Sequence, residues 1–137
     1  MGLTILDAGV IIGFLDSADA HHESATKTLC EAIGANQSLA MPASVLAEIL
    51  VGPSREGAEL VDLVRNMVAT LPIAVVPIGD EIAVSAAAMR ARHKSLKLPD
   101  ALVIATAESV DAEMLLTTDR RWPSARRLGI STKLQVL

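Results

Sequence analysis

Short apolar runs that alternate with longer amphipathic segments constrain this chain most. "LTIL" at residues 3–6 is such a run, stopped by Asp7, and "AGVIIGFLD" beyond it reads as a helix across a tight turn. "HHESATKTLCEAIGAN" sets Ala25, Leu29, Ala32 and Ile33 at helical spacing before Gly34 and Asn36, predicting a helix over about 22–35. "QSLAMP" is a second strand halted by Pro42. "ASVLAEILVG" then carries Val45, Leu46, Ile49 and Leu50 on one helical face, closed by Gly52 and Pro53. "REGAELVDLVRNMVATL" predicts a longer helix with Leu60, Leu63, Val64, Met67 and Val68 inward. "IAVVPI" is a third strand, which Pro77 ends or holds at a sheet edge. Two more helices follow, "DEIAVSAAAMRARH" with Asp80 as N-cap and "PDALVIATAESV" with Pro99 near its first turn. "EMLLTTD" and "GISTKLQVL" supply the last strands. This alternation argues for an α/β fold with a central, mainly parallel sheet of four to five strands and helices on both faces.

A chain of 137 residues suits one domain, 1–137, with room for a real core. Hydrophobic residues make up 51% but aromatics only 1%, so the core must be Ala, Val, Leu and Ile. No apolar run approaches the roughly 18 uncharged residues of a membrane span. "MGLTILDAG" lacks the basic start of a signal peptide, so the expectation is a cytoplasmic protein without a membrane partner. The single Cys30 cannot form an internal disulfide and sits at an ordinary helix position.

The net charge of -4 hides an asymmetry. Residues 1–68 carry 3 basic and 9 acidic groups, residues 69–137 carry 9 basic and 7 acidic. The cations cluster as "RARHKSLK" and "RRWPSARR", one beside Asp100 and the other beside Asp119. An acidic protein can thus present a local basic rim.

Most of the acidic residues fall on polar helix faces or in loops, and four do not. Asp7 and Asp119 each end an apolar strand, where an open α/β sheet binds its ligands. Asp100 heads "ALVIATA", a stretch too apolar to be anything but buried. Glu48 lies about 60° from Val45 around its helix, on the flank of the inward stripe and within reach of the sheet edge. Each has a bland alternative: Asp7 as a helix cap, Asp100 favouring a positive helix end, Asp119 as a turn residue, Glu48 paired with a cation. Four half-buried carboxylates at one sheet edge would repel strongly unless a cation compensates them. All-oxygen donors select Mg2+ or Mn2+, and no spaced set of Cys and His suggests zinc. His21 and His22 are adjacent and read as structural or surface residues, and His93 as a surface cation. A carboxylate-held divalent ion beside arginines suits phosphodiester chemistry by activating a water and steadying charge on the phosphate. The scarcity of aromatics argues against recognition by base stacking.

On "ILDAGVIIGFLD", "MPASVLAEIL", "LKLPDALVIATA" and "LLTTDRRW", taken in order, the chain resembles the PIN-domain ribonucleases, most closely the VapC-type toxins of toxin-antitoxin pairs. The resemblance implies a three-layer α/β/α sandwich, a homodimer, and Mg2+ or Mn2+ held by Asp7, Glu48, Asp100 and Asp119 as the catalytic set, with Thr117 supporting. It also implies endoribonuclease activity on tRNA or rRNA and silencing by a small antitoxin. The segments 21–33, 43–52 and the following long helix are the expected antitoxin groove. Arg92, Lys97, Arg120 and Arg121 are the candidate substrate contacts. The chain departs from the pattern at Gly9, where Ser, Thr or Asn is usual, and at Trp122, where Phe is usual in an apolar role. Two rivals are a receiver-like phosphoacceptor and a silent RNA-binding or processing protein. "ILDAGV" lacks a receiver's paired Asp, Lys133 is poorly placed for it, and four intact carboxylates weigh against the second.

Overall fold

The structure, a computed structural model, describes residues 2–137. In chain order it comprises β1 (Leu3–Leu6), α1 (Ala8–Leu15), α2 (His22–Gly34), β2 (Ser38–Pro42), α3 (Ala43–Glu56) and α4 (Ala58–Thr70). There follow β3 (Ile73–Val76), α5 (Asp80–Arg92), α6 (Leu98–Ser109), β4 (Met114–Thr117), α7 (Ala125–Leu128) and β5 (Lys133–Val136). All pairings are parallel and the strand order is β3-β2-β1-β4-β5. The expected α/β architecture is therefore present, with five strands. β3 stands at an edge, as Pro77 predicted.

The chain steps from β1 outward to β3, then returns to the other side of β1 for β4 and β5. Right-handed crossovers put the helices of these two excursions on opposite faces. In agreement, α1 packs on α2 and α3, α3 on α4, and α5 on α6. The direction reverses between β1 and β4, which opens a crevice at their carboxyl ends.

Helix α6 lies deepest. Ala101, Val103, Ile104, Ala105, Thr106 and Ala107 are each at most 1% exposed. The one polar member, Thr106, donates its hydroxyl to the Leu102 carbonyl at 2.7 Å, so no buried donor is left over. Ile5, Leu6, Leu115 and Leu116 of the two central strands complete this aliphatic core.

Three local expectations change. Helix α3 does not close at Gly52 and Pro53 but continues to Glu56. Its stop is Gly57, whose φ of 131° is open to glycine and strained for other residues. Asp80 is the first helical residue of α5 rather than its cap, which is Gly79, and it favours the positive helix end instead. In α4 only Val68 is buried and Val64 partly so, whereas Leu60, Leu63 and Met67 are exposed. The apolar stripe of α4 is too wide for the sheet it packs on, and half of it faces outward.

Candidate active site

The crevice gathers what the strands end in. Asp7 follows β1 directly, and its backbone N–H donates to the Leu116 carbonyl of β4 at 3.0 Å. Its carboxylate is buried and committed on both oxygens. Oδ1 accepts the Ala8 N–H at 2.8 Å, capping α1, and Oδ2 accepts the Thr117 hydroxyl at 2.7 Å. The cap reading of Asp7 therefore holds for Oδ1, while Oδ2 faces Thr117 at the end of β4. The fully buried Thr117 in turn accepts the Asp119 N–H at 3.1 Å, so one hydroxyl ties the ends of β1 and β4 together.

Asp100 lies half-buried in the first turn of α6 behind Pro99. Asp119 is also half-buried, its Oδ1 accepting the Arg121 N–H at 2.8 Å. The Arg121 guanidinium adds two bonds of 3.2 Å, Nε to Oδ1 and a terminal nitrogen to Oδ2. Glu48 corrects the expectation of four half-buried groups, because it is exposed on α3.

The four carboxylates nonetheless feel one another. Burial pushes Asp7 above its ordinary carboxyl range against its two hydrogen bonds, and Asp119 adds to the rise. Asp100 is pushed up by burial and by the charges of Asp7 and Asp119, with Trp122 and Lys97 opposing. Glu48 is raised by partial burial, then by Asp7 and Asp100; for so open a residue the neighbouring charges are the firmer cause. Asp119 alone is held below its ordinary range, by its hydrogen bonds from Arg121. Three uncompensated carboxyls around one compensated one is a site short of positive charge.

Among the described residues no three Asp, Glu, His or Cys side chains stand close enough to enclose an ion. The acidic residues share a field without forming a closed shell. Their donor chemistry still fits a hard divalent cation, being all oxygen and short of countercharge. Two buried polar atoms of this region, Trp122 Nε1 and Ser44 Oγ, have no hydrogen-bond partner; only the hydroxyl carries a lone pair that a cation could use. The indole N–H favours the ionised form of Asp100 although it makes no hydrogen bond of good geometry. Trp122 thus brings a donor to the site besides its apolar bulk. Ser44 lies one helical turn before Glu48, on the same face of α3. Neither residue stood out in the sequence; a Trp at a Phe position was the one available signal.

Among the predicted cations, Lys97 and Arg121 act on Asp100 or Asp119. Arg120 lines a shallow cleft with His21, Thr118, Asp119 and Arg121. Arg92 is exposed in the last turn of α5 and is not among the charges that shift the carboxylates. His21, read as a structural or surface residue, forms one wall of the cleft and lies 3.6 Å from Asp19. His22 is structural, its Nδ1 2.8 Å from the Gly13 carbonyl.

Gly9 has a steric explanation. A β-carbon there would collide with Thr118 Oγ1, so the space that a longer residue would fill already holds a hydroxyl from the other side of the crevice.

The sequence matches the family model for the PIN domain over residues 4–128. Comparison with curated proteins finds no match. Among solved structures, VapBC2 from Rickettsia felis bound to a promoter DNA fragment has a TM-score of 0.74 at 16% identity, covering 98% of each chain. A toxin-antitoxin complex from Klebsiella pneumoniae gives 0.63 at 25% identity over 85% of this chain and 86% of that one. Mycobacterium tuberculosis VapC20, a Sarcin-Ricin loop cleaving toxin, gives 0.65 at 14% identity over 82% and 86%. The first and third likenesses concern the fold; the family match over most of the chain makes this protein a member of the PIN-domain family.

Proposed function

We propose that the protein is a divalent-metal-dependent endoribonuclease, a single PIN domain acting as the toxin of a toxin-antitoxin pair. The observation that carries this reading is the run of carboxylates at the β1/β4 crevice, three of them raised in pKa and short of countercharge. Asp7, Glu48, Asp100 and Asp119 would hold Mg2+ or Mn2+, and Thr117 would hold Asp7 in place. Bound there, such an ion supplies a nucleophilic water and charge stabilisation at the phosphate. Arg120, Arg121 and Lys97 grip flanking phosphates, and Arg92 extends the rim. The RNA-cleaving neighbour VapC20 supports RNA as the substrate, and a tRNA or rRNA loop is the substrate class we favour.

The partner is an antitoxin, as in the neighbouring complexes. We place its apolar segment in the groove between α1, α3 and α4, which is lined by Ile12, Leu15, Ile49, Pro53, Leu60 and Val64. This departs from the sequence-based expectation, since α1 takes the place of α2 in lining that groove. No helix among the described residues is long and apolar enough to cross a membrane; the cytoplasm is the site of action that this reading adopts. We expect a homodimer, to be checked by light scattering.

The deciding experiment expresses wild type and Asp100→Asn in cells and maps new RNA 5′ ends. Wild type yields discrete new ends, and the variant, folded by circular dichroism, yields none. A fully active, folded Asp100→Asn defeats the reading.

A further inference from the structure

Asp119 is the one carboxylate of the crevice that already has a cation. Arg121 holds both of its oxygens in a forked arrangement, through bonds of 3.2 Å from Nε and 3.2 Å from a terminal nitrogen. The two partners are unequally placed, since the Arg121 side chain is 78% exposed and that of Asp119 only 20%. The guanidinium is therefore the solvent-exposed member of the pair. Its charge also reaches Asp100. Among the described residues Asp7, Glu48 and Asp100 make no such ion pair, and no three acidic groups stand close enough to enclose an ion.

We infer that Arg121 is a displaceable internal counter-cation: it occupies Asp119 in the resting protein, competes with a metal ion for that carboxylate, and once free grips an RNA backbone phosphate in the adjoining cleft. The inference rests on reading the four carboxylates as a metal site. The cleft supports the second half, because His21 and Arg120 line it together with Thr118, Asp119 and Arg121. A guanidinium swinging off Asp119 stays beside a second arginine and an imidazole, a surface suited to phosphate. Exchange should be easy, since a solvent-exposed ion pair is only weakly held even when it is forked. Arg121 then couples two ligands. Metal at Asp119 frees it for phosphate, phosphate on Arg121 frees Asp119 for metal, and linkage makes the two effects equal.

Mn2+ binding is measured by calorimetry, with emission of Trp122, the single tryptophan, as a second readout. The probe for the other ligand is a 2′-O-methyl phosphorothioate RNA decamer, titrated with and without Mn2+. Arg121→Ala is expected to bind Mn2+ about two- to fivefold tighter, the factor that release of an exposed pair allows. Arg121→Lys should tighten it nearly as much, because lysine keeps the charge but loses the fork. Arg120→Ala should change it less. Mn2+ should strengthen decamer binding to wild type by a larger factor than binding to Arg121→Ala, and equal factors would overturn the coupling. If Arg121→Lys behaves as wild type while Arg121→Ala tightens, only the general field of the arginine matters and the displacement idea fails. Unchanged Mn2+ affinity in both variants also overturns it. Wild type that binds no Mn2+ defeats the underlying metal-site reading instead, and Asp100→Asn serves as the control for that outcome.

Discussion

Helices α6 and α4 are both rich in apolar residues, and the molecule treats them in opposite ways. α6 lies in the middle of the fold with nearly every side chain from Ala101 to Ala107 out of water, and only its first turn, bearing Asp100, reaches the crevice. α4 buries Val68 and part of Val64, leaving Leu63 54% and Met67 42% exposed. Apolar periodicity marks a surface that seeks cover without saying whether the cover comes from the same chain. α6 finds it within the fold. α4 retains an uncovered strip beside the α1–α3–α4 groove, where we place the partner.

The largest effect that sharpens this contrast is truncation in α6. Ile104→Ala should cost about 2–5 kcal/mol in chemical denaturation, the range for a buried aliphatic whose cavity cannot collapse. A loss below 1 kcal/mol would mean that α6 is less tightly held than its burial indicates. Next comes the close approach at the crevice. Gly9→Ser should cost about 1–3 kcal/mol because it overpacks against Thr118 Oγ1. The double variant Gly9→Ser, Thr118→Ala should recover most of that, and purely additive losses would break the pairing.

A smaller effect concerns the polar end of α6. The raised carboxyls of Asp7, Glu48 and Asp100 bind protons in the folded state that the unfolded chain has released. Stability in chelator should therefore rise as pH falls from neutral toward the ordinary carboxyl range, and be lost again as pH increases through the raised values. Asp119 works in the opposite sense, its contribution being lost only below the ordinary carboxyl range. The slope should be shallower in Asp100→Asn and suppressed by Mn2+ in wild type. A thermal midpoint that is flat in chelator, or identical in the two proteins, would contradict the charge crowding. The smallest change is expected in α4, where Leu63→Ser should alter stability by less than about 0.5 kcal/mol. The same variant should weaken capture of the cognate antitoxin; unaltered capture would move the partner elsewhere.

What could be read from the sequence followed from how local each signal was. Asp7 and Asp119 were legible because each stops an apolar strand, and Asp100 because it precedes a run that only a core could accept. The sheet followed from alternation alone. Glu48 was placed on the correct helix but drawn too far inward, since helical angle fixes direction and not depth. The exposed stripe of α4 was misread for the reason given above. Contacts between distant segments left no trace: nothing in "DAGV" announces that Thr118 fills the space beside Gly9. Nor could "TTDRRW" show that Arg121 folds back on Asp119, or that the Trp122 indole brings a polar edge to Asp100.

The two bonds on Asp7 have a consequence for the other three acids. With Oδ1 held by the Ala8 amide and Oδ2 by the Thr117 hydroxyl, its carboxylate plane cannot swivel, yet each oxygen keeps a lone pair unused. The ordering entropy of this group is spent when the chain folds, before any ligand arrives. Glu48, exposed on a flexible stem, must lose its rotamer freedom afterwards. Asp7 is thus the fixed datum of the crevice, and its neighbours are the parts that adjust to it.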